Sequence, residues 1–305
     1  REYASTLRSL QNSYKTGVIK MHPAPRPPQS VPSMSRAVCI TLMWVALGMA
    51  LAGGTAQAET RALVLAADYS QARNPDLELK NTLVDARAVT ALFHKLGLHD
   101  VTIVENGSVD AWDKEIQSLV GRLQADDIAL LYYAGHAVQV NGRNFFLGAD
   151  GVTLVSSDEV LSTIMAKAGG TVFLIDACRD NPFRNQASEK RQLRIRSRTM
   201  ETLSLAELAK AQSGLSQMGN LRGKNTIVVF STDPGNVAQD GNPGEGSPFA
   251  NAVVRELGKR QSLDAAIRRI TADVDRQTSS KQSPWRQGDL SFPLFLAGQP
   301  RFPVP

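Results

Sequence analysis

An α/β fold with a largely parallel sheet covered on both faces is predicted for this chain of 305 residues. Three observations predict it. From residue 60 onward, short β-branched runs alternate with stretches of helical periodicity, the pattern of βαβ units. The strand-like runs are continuously apolar rather than alternating, as strands buried on both faces must be. A hydrophobic content of 42% over this length is ample for one sizeable core.

The elements follow in order. Ala62–Ala66 (ALVLA) reads as a buried strand. Ala86, Val89, Leu92, Phe93 and Leu96 fall at helical spacing, and Gly97 ends that helix. Val101–Val104 is a strand, and Ser108 caps a helix with Trp112, Ile116, Leu119, Val120 and Leu123 on one face. Ile128–Tyr133 is an apolar strand. Val138–Leu147 has the form of a hairpin turning at Asn141-Gly142. Ser156 or Ser157 caps a short helix running to Met165, and Thr171–Ile175 (TVFLI) is a further buried strand. Residues 184–222 are polar, with Lys190, Arg191, Arg194, Arg196 and Arg198 close together, and are expected to form a solvated loop or short amphipathic helix. Thr226–Phe230 restores strand character. Phe249, Val253, Val254 and Leu257 mark one helix, and Ile267, Ile270 and Val274 another.

The first residues account for the chain's basic character. Residues 1–58 hold six of the 34 Lys and Arg residues and one of the 29 Asp and Glu, so 28 of each remain and the body is neutral. Such a balance gives no reason to expect nucleic acid or an anionic membrane as partner. Residues 34–58 have the pattern of a secretory signal peptide: Arg36, an apolar run from Ala37 to Ala52, and the small-x-small site Ala56-Gln57-Ala58. The apolar run is short for a bilayer-spanning helix. The expected product is therefore periplasmic or secreted, with no membrane attachment after signal removal. Residues 1–33, with five prolines, read as a non-native or unstructured extension before Met34, and 298–305 as a tail. Of the two cysteines, Cys39 lies inside the signal, so a mature chain starting at Glu59 carries Cys178 alone and forms no internal disulfide.

In open α/β sheets, chemistry collects beyond the carboxyl ends of strands. That rule selects Gly135-His136, expected in a loop after the Ile128–Tyr133 strand, and Ala177-Cys178, expected after the Thr171–Ile175 strand. A cysteine thiol is a potent nucleophile only as thiolate and needs an adjacent imidazole to accept its proton. His94 and His99 lie in or just after a helix and read as surface residues, leaving His136 as the candidate base.

The residues around this pair resemble a known family. Tyr132-Tyr133-Ala134-Gly135-His136 resembles the histidine block of metacaspases and their bacterial caspase-like relatives. The run Ile175-Asp176-Ala177-Cys178-Arg179-Asp180-Asn181-Pro182-Phe183 resembles their nucleophile block, and Phe230-Ser231-Thr232-Asp233-Pro234-Gly235 resembles the Ser-Thr-x-Pro-Gly segment of the caspase small subunit. The likeness runs from about residue 60 to 296. It implies a caspase-hemoglobinase fold, with a mostly parallel six-stranded sheet and helices on both faces. It also implies a large-subunit-like half (59–185), a basic linker (186–222) and a small-subunit-like half (223–297). His136 would then assist Cys178 in attack on a peptide carbonyl, with the backbone N–H groups of Ala137 and Cys178 holding the oxyanion. Ala137 departs from the family's usual glycine, and if the position needs a positive φ it would be strained.

The same likeness bears on specificity. Asp176 stands two residues before the nucleophile, where caspases have Gln. Asp240 falls where the caspase pocket arginine would be, and Asp85 matches a metacaspase pocket aspartate. An acidic pocket of this kind accepts Arg or Lys through charge-assisted hydrogen bonds and repels Asp. The basic cluster at 190–198 then offers self-cleavage sites. Calcium, required by many metacaspases, is not carried over, because Asn185 stands where an acidic ligand is expected. The competing reading is a weak or inactive caspase-like domain serving as an exported binding or scaffold protein. Ala137 favours that reading and the intact His136/Cys178 pair opposes it. A third reading is a thiol amidase acting on small amides.

Overall fold

The computed structural model describes residues 58–178, 183, 192–196, 201–209, 215–234 and 236–298. The chain divides into residues 1–56 and 57–305, and everything described belongs to the second unit. Residues 34–57 and the basic residues Lys190, Arg191 and Arg198 lie outside the described residues, as does Asn185.

Six strands form the core sheet in the order β2-β1-β3-β6-β9-β10. They are β1 (Thr60–Ala66), β2 (Val101–Glu105), β3 (Ile128–Val140), β6 (Gly170–Cys178), β9 (Thr226–Phe230) and β10 (Trp285–Asp289). All are parallel except β10, which runs antiparallel to β9 at the edge. Alternate residues of each strand feed two separate cores. Leu63, Leu65, Ala129, Leu131, Tyr133, Phe173, Ile175, Val228 and Phe230 point to one face, under α2 (Val109–Arg122) and α3 (Ser157–Met165). Ala62, Val64, Leu130, Tyr132, Val172, Leu174, Ile227 and Val229 point to the other, under α1 (Thr82–Lys95), α5 (Pro248–Leu257) and α6 (Leu263–Gln277). The sheet is mixed and covered on both sides, as the apolar strand runs require.

The local signals behave as their chemistry dictates. Ser108, Ser156, Ser247 and Ser262 each accept a hydrogen bond from a backbone N–H in the first turn of α2, α3, α5 and α6. Asn141 (φ 51°) and Gly142 (φ 75°) both take left-handed backbone, making the tight hairpin between β3 and β4 (Arg143–Leu147).

Three expectations need correction. The strand expected over Ile128–Tyr133 does not stop at Tyr133. β3 runs on through Gly135 and His136 to Val140 because it exchanges partners on the way: His136 is the last residue in register with β6, and Ala137 the first in register with β4. His136 is therefore held in a strand rather than a loop. Likewise β6 extends past Ile175 to end at Cys178. Finally, the polar segment after residue 184 has strand structure. β7 (Gln192–Arg196) lies between β5 (Thr153–Ser156) and β8 (Glu201–Ser204), burying Leu193 and Ile195 while Arg194 and Arg196 face out, and the short α4 (Leu205–Ala209) follows. The Arg196 guanidinium pairs with Asp110 and Asp113. The arginines dominate the composition of this segment, but alternate apolar residues satisfy a two-residue period.

Candidate active site

The β3–β6 register places the Cα atoms of His136 and Cys178 directly opposite each other, at the carboxyl end of the parallel β3–β6 ladder. Every residue pair from Ile128↔Gly170 onward leads to this final rung, so the sheet itself sets the juxtaposition.

His136 is buried, and each of its polar groups but one is fastened. The Tyr69 hydroxyl accepts the His136 backbone N–H at 2.8 Å and donates to the Leu147 carbonyl at 2.9 Å. The Tyr133 hydroxyl donates to the His136 carbonyl at 2.6 Å. Imidazole Nε2 lies 2.8 Å from the Leu77 carbonyl, which only accepts, so Nε2 carries the proton. Nδ1 is then the unprotonated nitrogen, and it is buried without a hydrogen-bond partner among the described residues. Burial pulls the imidazole down to about 4, with the Leu77 carbonyl bond acting the other way, so the ring is neutral at neutral pH. The Tyr69 ring lies 4.7 Å from the imidazole. Gly135 is needed for this arrangement: a Cβ there would meet the Tyr133 hydroxyl at 2.7 Å and the Tyr69 hydroxyl at 2.9 Å. Ala137 lies in extended β3 opposite Phe146 and is not among the residues of positive φ, so replacing the usual glycine strains nothing.

Beside this rung lies a small pocket lined by Asp85, Asp176 and Asp240, together with Gly135, Thr82 and Ser247. The structure thus brings together all three aspartates, separated in sequence by up to 155 residues from Asp85 to Asp240, in one cavity. Asp85 sits in the first turn of α1, but it does not cap that helix. Its Oδ1 accepts the Ser247 backbone N–H at 2.9 Å. Asp176 Oδ2 accepts from the Ser247 hydroxyl at 2.6 Å and from the Tyr132 hydroxyl at 3.0 Å. Asp240 Oδ2 accepts the Lys80 backbone N–H at 2.9 Å. Among the described residues no Lys or Arg side chain pairs with any of the three. Burial raises Asp85 to about 8, with the neighbouring Asp176 charge adding to it. Burial likewise raises Asp176 to about 6, against the Ser247 and Tyr132 hydrogen bonds.

Sequence reasoning missed Ser247, Tyr69, Asn81 and the Leu77 carbonyl. Ser247-Pro248 carries a legible helix-start signal, but its bonds to Asp85 and Asp176 span 162 and 71 residues. Asn81, fully buried, donates to the Asn242 carbonyl at 2.9 Å and accepts the Gly244 N–H at 2.7 Å, shaping the loop that carries Asp240. Gly246 takes φ 80°, and a Cβ there would meet Asp85 Oδ1 at 2.7 Å. Among the described residues no group of three or more His, Cys, Asp or Glu side chains is arranged to hold a metal ion. No described helix is long and apolar enough to cross a membrane.

Residues 59–295 match the family model described as the caspase domain of C14 peptidases. Among solved structures, a protein from Geobacter sulfurreducens is similar at 17% identity and a TM-score of 0.56, covering 79% of this chain and 98% of its own. Caspase-1 from Spodoptera frugiperda is similar at 18% identity and a TM-score of 0.55, covering 80% of this chain and 91% of its own. At such identity these likenesses speak for the fold alone, which is caspase-like. No curated protein sequence matches the chain.

Proposed function

The chain belongs to the caspase-domain family of cysteine peptidases, and from that premise we propose that it is an endopeptidase with a His136/Cys178 dyad that cleaves after arginine or lysine. The observation that carries this reading is the terminal rung of the β3–β6 ladder, flanked by a buried acidic pocket that holds no cation of its own among the described residues.

The chemistry follows from the tautomer. With Nε2–H donated to Leu77, Nδ1 has a lone pair free to take the Cys178 proton as sulfur attacks the scissile carbonyl carbon. The backbone N–H groups of Ala137 and Cys178 stabilise the oxyanion. Collapse breaks the C–N bond, and Nδ1–H protonates the departing amine. Water, deprotonated by the same nitrogen, then hydrolyses the thioester. The substrate's basic side chain enters the pocket of Asp85, Asp176 and Asp240, where charge-assisted hydrogen bonds fix the carbonyl beside the rung. The segment 34–58 supports an exported, periplasmic or secreted, location. Arg194 and Arg196 lie in a strand paired on both sides, so self-cleavage in the basic segment falls to Lys190, Arg191 or Arg198.

The test is a panel of fluorogenic peptides with Arg, Lys or Asp at the cleavage position, run on the native protein and on Cys178→Ala. Cleavage of the Arg and Lys peptides, abolished by the substitution, is expected. Turnover of the Asp peptide alone would overturn the specificity, and activity surviving in Cys178→Ala would overturn the dyad.

A further inference from the structure

Asp85, Asp176 and Asp240 supply negative charge but no obvious means of telling one cation from another. A lysine ammonium carries three N–H donors on one atom, and three carboxylates can take one each. Of the six carboxylate oxygens, Asp85 Oδ1, Asp176 Oδ2 and Asp240 Oδ2 already accept protein donors, so the five donors of a planar arginine guanidinium call on acceptors beyond the three oxygens left uncommitted. A fourth acceptor is present. Thr82, at the first position of α1 and 4% exposed, lines the pocket, and its Oγ1 is buried with no hydrogen-bond partner among the described residues. The other pocket hydroxyl, Ser247, is already engaged by Asp176 and by the Ala250 N–H. A buried hydroxyl left empty costs stability in the unliganded protein, which is the mark of a group kept for a ligand.

We infer that Thr82 is a specificity-determining residue whose hydroxyl accepts a guanidinium N–H, so that the pocket selects arginine over lysine. The inference rests on the reading of this cavity as the site of the basic side chain. Lysine, satisfied by the three carboxylates, leaves the Thr82 hydroxyl buried and unpaired, whereas arginine satisfies it. A site built to hydrogen-bond a group discriminates against the analogue that lacks it.

The experiment compares matched fluorogenic peptides differing only in Arg or Lys at the cleavage position, on the native protein, Thr82→Val and Thr82→Ser. Calorimetric titration with agmatine and with cadaverine gives a readout independent of turnover. Thermal melts of the unliganded proteins are recorded alongside. The native protein is expected to prefer arginine and agmatine. Thr82→Val should lower the Arg-to-Lys ratio of kcat/KM, and the agmatine-to-cadaverine affinity ratio, by about tenfold or more. Thr82→Ser, which keeps the hydroxyl, should restore most of the preference. Because the hydroxyl bonds nothing in the empty protein, Thr82→Val should melt no lower than the native chain.

An unchanged ratio in folded Thr82→Val overturns the inference while leaving the acidic pocket standing, as does equal use of Arg and Lys by the native protein. A Thr82→Val chain that melts early or fails to fold also overturns it, because the hydroxyl would then be structural. If the native protein neither cleaves Arg or Lys peptides nor binds either amine, the pocket reading itself fails and the inference falls with it.

Discussion

Asp127 and Asp85 are equally buried, each 2% exposed, at opposite ends of the same sheet. Asp127, just before β3, accepts the Arg61 guanidinium at 2.9 Å and the backbone N–H groups of Glu59 and Gln124. Despite the cost of burial, those bonds hold it below the ordinary carboxylate range. Asp85, at the carboxyl end, is driven upward by burial, with the neighbouring carboxylates of Asp176 and Asp240 adding to it. The contrast shows where the chain meets its own electrostatic needs and where it leaves them open. The amino end of the sheet is closed by internal ion pairs. The carboxyl end gathers three carboxylates that no Lys or Arg side chain pairs among the described residues, and the proposed basic-substrate pocket rests on that arrangement.

The largest effect expected from breaking this contrast is in catalysis. Asp176→Asn removes the carboxylate nearest the dyad in sequence and should lower kcat/KM on Arg peptides by about 100- to 1,000-fold, with the fold intact by circular dichroism. A variant that still cleaves Arg peptides at near-native rates would take the cation out of the pocket.

Next in size is the opposite end. Asp127→Asn should destabilise the protein by about 3 kcal/mol in urea unfolding, since it strands part of the Arg61 charge and two backbone donors, while the Arg-to-Asp preference of the surviving folded enzyme stays as it was.

The pH dependence of stability sharpens the comparison further, because the two sites carry opposite signs. Asp85 and Asp176 are raised in the folded state, so the empty protein binds more protons than the unfolded chain between about pH 4 and 8. These residues therefore make stability fall as pH rises through that window. Asp127 is lowered, so its contribution is present above the ordinary carboxylate value and is lost as pH falls through its folded value. Thermal melts of Asp85→Asn should recover about 1–3 kcal/mol at pH 8 relative to the native protein and nothing at pH 4. Activity on Arg peptides should rise over pH 6–8 as the pocket ionises. A flat profile in both measurements would mean that the carboxylates are not held neutral in the empty state.

The smallest effect concerns the base. Tyr69→Phe leaves the His136 N–H without its acceptor and should reduce kcat about three- to tenfold with KM little changed. A raised KM with kcat unchanged would assign Tyr69 to substrate binding instead.

Much of this was legible before the fold. Periodicity located the core strands β1, β2, β3, β6 and β9 and the main helices, because each has an uninterrupted apolar run or a helical stripe of its own. His136, Cys178 and the three pocket aspartates could be singled out from short motifs. What remained hidden depends on contacts across the chain. Nothing near Ser247 announces that it bonds two aspartates, and nothing near Tyr69 announces that its hydroxyl bonds His136. The run of β3 through Gly135 was hidden for a related reason. A glycine reads locally as a break, and only the β6 ladder on one side and β4 on the other keep the strand going. β10 escaped notice because Trp285–Asp289 is short, polar and at an edge, stacking its one aromatic ring on Phe230.

The thirteen-residue length of β3 has a mechanical consequence. A single rod of backbone passes from the rigid interior, through the imidazole, to the outlying hairpin at Asn141-Gly142. The hairpin follows directly on the strand that carries His136. Whatever grips the hairpin acts on the strand that carries His136, the proposed base.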